Sequence, residues 1–78
     1  MTPYRIVFIT VPTGKKVREI TEAVLRARLA ACVTTIPLVQ SAYWWKGKLE
    51  HAHETLLMVK TVKGHLPRLI NKIRSLHP

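Results

Sequence analysis

Apolar residues follow two different rhythms along this chain. Ile6-Val7-Phe8-Ile9 is a continuous β-branched and aromatic run, followed by Thr10-Val11 and closed by Pro12. Such a run predicts a strand buried on both faces, and Pro12-Thr13-Gly14 predicts a turn. From Lys15 the spacing changes. Val17, Ile20, Val24, Ala27 and Ala31 recur at intervals of three and four, which is one stripe of a helix. Lys16, Arg18, Glu19, Glu22, Arg26 and Arg28 lie mostly off that stripe, and Glu22 and Arg26 form an i,i+4 pair. Cys32 to Trp45 is strand-like again, and Pro37, which cannot donate to a ladder, marks a bulge, a bend or an edge within it. Lys46-Gly47-Lys48 predicts a tight turn and Leu49 to Thr61 a return strand, so the two segments form a long β-hairpin. After a break at Val62-Lys63-Gly64, Leu66, Leu69, Ile70, Ile73 and Leu76 define a second amphipathic helix, with Pro67 accommodated in its first turn.

The predicted order is β-α-β-β-α. The fold class is therefore α+β and ferredoxin-like, an antiparallel sheet with two helices on one face; a final strand is missing from the complete β-α-β-β-α-β plait. Residues 1–78 are expected to form a single domain, incomplete at the C-terminus. Two helices cover only one face of a sheet. Ile6–Ile9 and Leu56–Val59 are nevertheless apolar on both faces, so the uncovered face is expected to meet another copy of the chain.

Composition narrows the class. With 78 residues, 47% of them hydrophobic, the chain has one small core and is not a disordered tail. Thirteen Lys and Arg against four Glu, with no Asp, give a net charge of +9. That excess suits anionic partners or simple solubility. A single cysteine, Cys32, excludes a disulfide framework and any zinc module built on two or more cysteines. No apolar run approaches the ~20 residues of a membrane span, and the opening residues do not resemble a secretory signal. The expectation is a cytoplasmic protein with no membrane partner.

No catalytic set emerges. Without Asp there is no Ser-His-Asp triad, and Gly14-Lys15-Lys16 lacks the upstream glycine and the hydroxyl residue of a phosphate loop. Cys32 reads better as a small buried apolar residue at a helix-strand junction than as a nucleophile. His51 and His53 stand at i and i+2 of a strand, so their rings share a face and could chelate copper or zinc. Glu54 lies on the other face, and a solvated hairpin is the simpler reading. Tyr43-Trp44-Trp45 with Lys46 and Lys48 suggests a base-stacking platform, but the basic residues are dispersed, and packing of these aromatics against a neighbouring subunit is preferred.

Several blocks together carry a resemblance: Leu29-Ala30-Ala31-Cys32-Val33, Ile36-Pro37, Tyr43-Trp44-Trp45-Lys46-Gly47-Lys48-Leu49-Glu50, Leu56-Leu57-Met58-Val59-Lys60-Thr61 and Ser75-Leu76-His77-Pro78. From about Ile6 to Pro78 the chain resembles the CutA divalent-cation-tolerance proteins. The resemblance implies the same plait, assembled as a homotrimer around a threefold axis and similar in architecture to the PII signal-transduction trimers. It implies copper or divalent-metal tolerance, metal binding, and no enzymatic activity. The family's proposed metal ligands are a Cys near the end of the first strand and imidazoles just before the His-Pro proline. This chain has Ile9 and Leu76 at the matching positions, so His77 alone is carried over as a metal ligand. Any Cu2+ or other divalent cation is expected to bind weakly. The alternative reading is a small basic nucleic-acid-binding domain. The preferred one has self-association and a divalent ion as partners and no nucleic acid.

Overall fold

The computed structural model describes residues 2–77. Its elements are β1 (Tyr4–Pro12), α1 (Lys15–Arg26), β2 (Cys32–Trp45), β3 (Lys48–Val62), a 3-10 turn (Lys63–His65) and α2 (Leu66–Leu76). The three strands form one antiparallel sheet in the order β1-β3-β2. This is the predicted α+β plait, with both helices on the same side of the sheet.

Alternation on the strands sorts their residues between two environments. Val11 of β1 and Thr55, Leu57, Val59 and Thr61 of β3 point to the helices and are buried. They meet Ile20 and Val24 of α1, Leu29, and Leu69 and Ile73 of α2 in one core. Removing such side chains from water contributes ~25 cal/mol per Å2 of apolar area. The two buried threonines do not leave their hydroxyls unpaired. Thr61 donates to the Leu29 carbonyl at 2.6 Å, and Thr55 pairs with the Thr13 hydroxyl at 3.1 Å.

The expectation that Ile6–Ile9 is buried on both faces is corrected within the single chain. Val7 and Ile9 pack against the core, but Ile6 and Phe8 are 55% and 60% exposed. Among the described residues both helices lie on the other side of the sheet.

Helix α1 also ends earlier than its apolar stripe suggests. Ala27 caps the helix and Ala31 lies beyond it, both exposed. Arg28 adopts the left-handed conformation at φ 57°. Its N–H donates to the Leu25 carbonyl at 3.0 Å, and the Leu29 N–H donates to the Val24 carbonyl at 3.0 Å. This pair of bonds is a Schellman motif, and the leucine that follows Arg28 is swung into the core beside Val24. Glycine usually occupies the left-handed position because it has no Cβ to clash.

Pro37 marks a β-bulge. Pairing runs in register from Cys32↔Lys60 to Ile36↔Leu56 and resumes at Val39↔Glu54, so Pro37 and Leu38 together oppose Thr55. The extra residue reverses the alternation. Before the bulge Val33 and Thr35 lie on the helix side; beyond it Gln40, Ala42 and Trp44 do, while Val39, Ser41, Tyr43 and Trp45 take the open side. The hairpin closes at Lys46-Gly47, φ 51° and 76°, the two left-handed residues of a tight turn that matches strand twist. Lys46 Nζ stands over the Trp45 ring, 5.7 Å from its centre.

Two outcomes follow for stability. Arg28→Gly relieves the left-handed cost and should stabilise by about 0.5–1 kcal/mol after the extra chain entropy of glycine is subtracted. Thermal melts at fixed protein concentration should show the midpoint rise by roughly 2–8 °C, whereas Arg28→Ala, which keeps a Cβ, should give no such rise. On the surface of α1, Glu22 accepts from Arg18 Nε at 2.9 Å and Arg26 Nη2 at 3.1 Å. The Arg26 bond, then the Arg18 bond, holds its carboxyl below the ordinary 4.5. A depressed folded value contributes stability that is present above 4.5 and lost as the pH falls through the folded value. Glu22→Gln should therefore flatten the stability curve on acidification. The change should be small and should fade with salt, because all three side chains are exposed.

Candidate functional site

The sheet surface opposite the helices is the most unusual feature of the chain. β1 contributes Tyr4, Ile6 and Phe8, β3 contributes Leu56, Met58 and Val62, and β2 contributes Ile36. Direct cross-strand partners place Phe8 beside Met58, Thr10 beside Leu56, and Leu56 beside Ile36. Past the bulge the same side continues through Val39, Tyr43 and Trp45. Tyr4 is 72% exposed and Trp45 58%. An apolar strip of this extent across three strands differs from the singly scattered apolar residues of an ordinary surface. Its polar members are Lys60, which lies between Ile6 and Cys32, with Thr10 and Thr34; past the bulge Ser41, Lys48, Glu50 and Glu54 join them. Cys32, expected to be buried, is an exposed free thiol, because it stands on this open side of the sheet.

His77, the residue carried over as a metal ligand, lies at one corner of this arrangement. It follows α2 and is half-buried. Its N–H donates to the Ile73 carbonyl at 2.8 Å, which anchors the last helical turn. Its ring Nε2–H donates to the Thr10 carbonyl at 2.7 Å and so ties α2 to the end of β1. That bond fixes the proton on Nε2, and a metal at this ring must take Nδ1 or displace Thr10. Ile9, the residue before Thr10, and Leu76 offer no donor atoms. No group of three or more His, Cys, Asp or Glu that could hold a metal is present among the described residues. The residues present in one chain thus do not fit a closed metal centre at His77.

The aromatic tip separates into two sides. Trp44 pairs with Leu49 on the helix side and Trp45 with Lys48 on the open side. They cannot form one stacking platform, since neighbouring strand residues point oppositely. The structure also has a cleft that the sequence reading missed. It encloses about 640 Å3 where β1 starts and β3 ends, with Arg5, Arg28, Lys60 and His65 at an otherwise largely apolar lining. Three separated segments build it, so no local motif announces it. No helix among the described residues is long and apolar enough to cross a membrane.

A three-stranded plait with one helical layer and one bare apolar face defines a class of small ferredoxin-like proteins. Comparison narrows this to a family: residues 5–78 match the model of the CutA1 divalent ion tolerance protein. The chain belongs to that family. It is 48% identical over 71 residues to Protein CutA of Homo sapiens, covering 91% of this chain but spanning only 40% of the human protein. It superposes on the divalent cation tolerance protein (Cut A1) of Thermus thermophilus with a TM-score of 0.91 and 40% identity, covering 96% of this chain and 73% of that one. It is likewise similar to the periplasmic divalent cation tolerance protein CutA of Archaeoglobus fulgidus, with a TM-score of 0.89 and 31% identity over 95% and 72% of the two chains. None of these likenesses favours the nucleic-acid alternative.

Proposed function

We propose that this chain serves divalent-ion tolerance as a non-enzymatic homotrimer, arranged in the manner of the PII signalling proteins. One observation carries the reading: the bare apolar face formed by Ile6, Phe8, Leu56, Met58 and Ile36. At ~25 cal/mol per Å2, covering that face with copies of itself recovers burial that a lone subunit forgoes. Trp45 extends the same face and belongs to the proposed contact, whereas Trp44 points away from it. The divalent ion, with Cu2+ preferred, is proposed to meet His77 only weakly, because no group of three or more His, Cys, Asp or Glu gathers there among the described residues. The proposed role without catalysis rests on the family likeness and on a sequence that contains no Asp for a Ser-His-Asp triad. The proposed compartment is the cytoplasm, where an exposed unpaired thiol such as Cys32 stays reduced.

Sedimentation at micromolar concentration should give a particle three times the chain mass. Phe8→Glu, which puts a charge in the centre of the face, should dissociate it while leaving the helical circular dichroism in place. A monodisperse wild-type monomer refutes the assembly, and a dimer refutes the trimeric arrangement. In a calorimetric Cu2+ titration, His77→Ala should remove only a weak component and leave the particle mass unchanged; unaltered titration curves would eliminate His77 as a ligand.

A further inference from the structure

The outer half of the β2–β3 hairpin carries a pair of imidazoles that neither the core nor the apolar face uses. His51 and His53 lie on β3, separated by Ala52, and both are exposed. Two strand residues at i and i+2 stand on one side of the sheet with Cα atoms about 6.6 Å apart. The ladder shows what lies beside them. Ala42 is directly opposite His51 and Gln40 directly opposite His53. Ala42 brings only a methyl group beside His51, and Gln40 brings a polar side chain beside His53. Neither imidazole is engaged in a hydrogen bond or ion pair among the described residues, so neither ring has a partner to give up.

We propose that His51 and His53 form a two-imidazole chelate for Cu2+, one ion per chain, distinct from any contact at His77. Each ring contributes one neutral nitrogen, and solvent completes the coordination, since no third His, Cys, Asp or Glu gathers there among the described residues. Two cis imidazoles with water suit the tetragonal preference of Cu2+, which also heads the divalent series for nitrogen ligands. Zn2+ prefers a closed tetrahedral set that this pair cannot supply. Beyond the bulge, the ladder that runs unbroken to the turn places Gln40 and Ala42 beside the imidazoles and sets Tyr43 and Trp45 on the other side. The pair therefore lies on the face opposite the proposed subunit contact, and both residues are exposed in the chain. The chelate does not depend on the family role.

The test is a Cu2+ titration of the whole chain near neutral pH, read by calorimetry and by the visible copper band, with particle mass measured on the same samples. His51→Ala and His53→Ala should each weaken binding about tenfold or more, because a chelate loses its second arm. Both positions are exposed, and circular dichroism should be unchanged. A third variant, His53→Ala with Glu54→His, preserves the number of imidazoles but sets the second on the opposite face; it should not restore binding. Acidification should release the ion, since protons compete for neutral imidazole. Undiminished affinity in the double variant His51→Ala/His53→Ala, loss in only one of the two single variants, or rescue by Glu54→His would each overturn the chelate. Loss of the main binding in His77→Ala alone would also overturn it and assign the ion to His77. The particle mass separates these results from the fate of the trimer.

Discussion

Everything in this chain depends on how the central strand β3 divides its side chains. Thr55, Leu57, Val59 and Thr61 go to the helices, and Leu56, Met58 and Val62 go to the other side. A strand flanked by partners on both edges cannot rotate to favour one face, because its ladder bonds fix the pleat. The two helices can satisfy only the first set. The core and the bare face are therefore two consequences of one constraint, and neither can be altered by a register slip without exchanging them.

The polar groups inside this arrangement fall where the ladder leaves gaps. Thr61 sits in the core yet reaches the Leu29 carbonyl, which the end of α1 leaves available. The Ala31 N–H donates to the Lys60 carbonyl at 2.9 Å, and the Lys63 N–H to the Pro3 carbonyl at 2.7 Å, so the entry to β2 and the exit from β3 are both fastened. His77 does the same at the opposite end through Thr10. A residue that the resemblance marks for metal thus also has a structural job. For a chain of this size, where the core is limited, such ties carry a larger share of the cohesion.

Much of this was legible in the sequence. The order of elements followed from the change of period at Lys15, the turn at Lys46-Gly47 and the break at Lys63-Gly64. The existence of an uncovered second face followed from counting helices against two-sided strands. The end of α1 was not legible, because Arg28 occupies a position where glycine would have signalled the stop; the stripe through Ala27 and Ala31 then reads as helix, and the burial of Leu29 goes unseen. Pro37 announced an irregularity, but whether it bends the strand or reverses its alternation depends on pairing with β3, which is a non-local fact. His77 stands out in the sequence through the resemblance alone, and its hydrogen-bond partner, the Thr10 carbonyl, is 67 positions away in the chain.

The bulge gives β2 a spare link. Losing one residue between Ile36 and Val39 would leave Ile36↔Leu56 and Val39↔Glu54 paired and set a single residue opposite Thr55, so the ladder would become regular. The turn at Lys46-Gly47 would still hold Trp45 against Lys48 and Trp44 against Leu49, and Gln40 and Ala42 would remain beside the imidazoles. What would change is the local bend and twist of the hairpin, and with them the direction in which its tip projects. Lineages that differ by one residue there should keep the same two surfaces and differ in the aim of the hairpin.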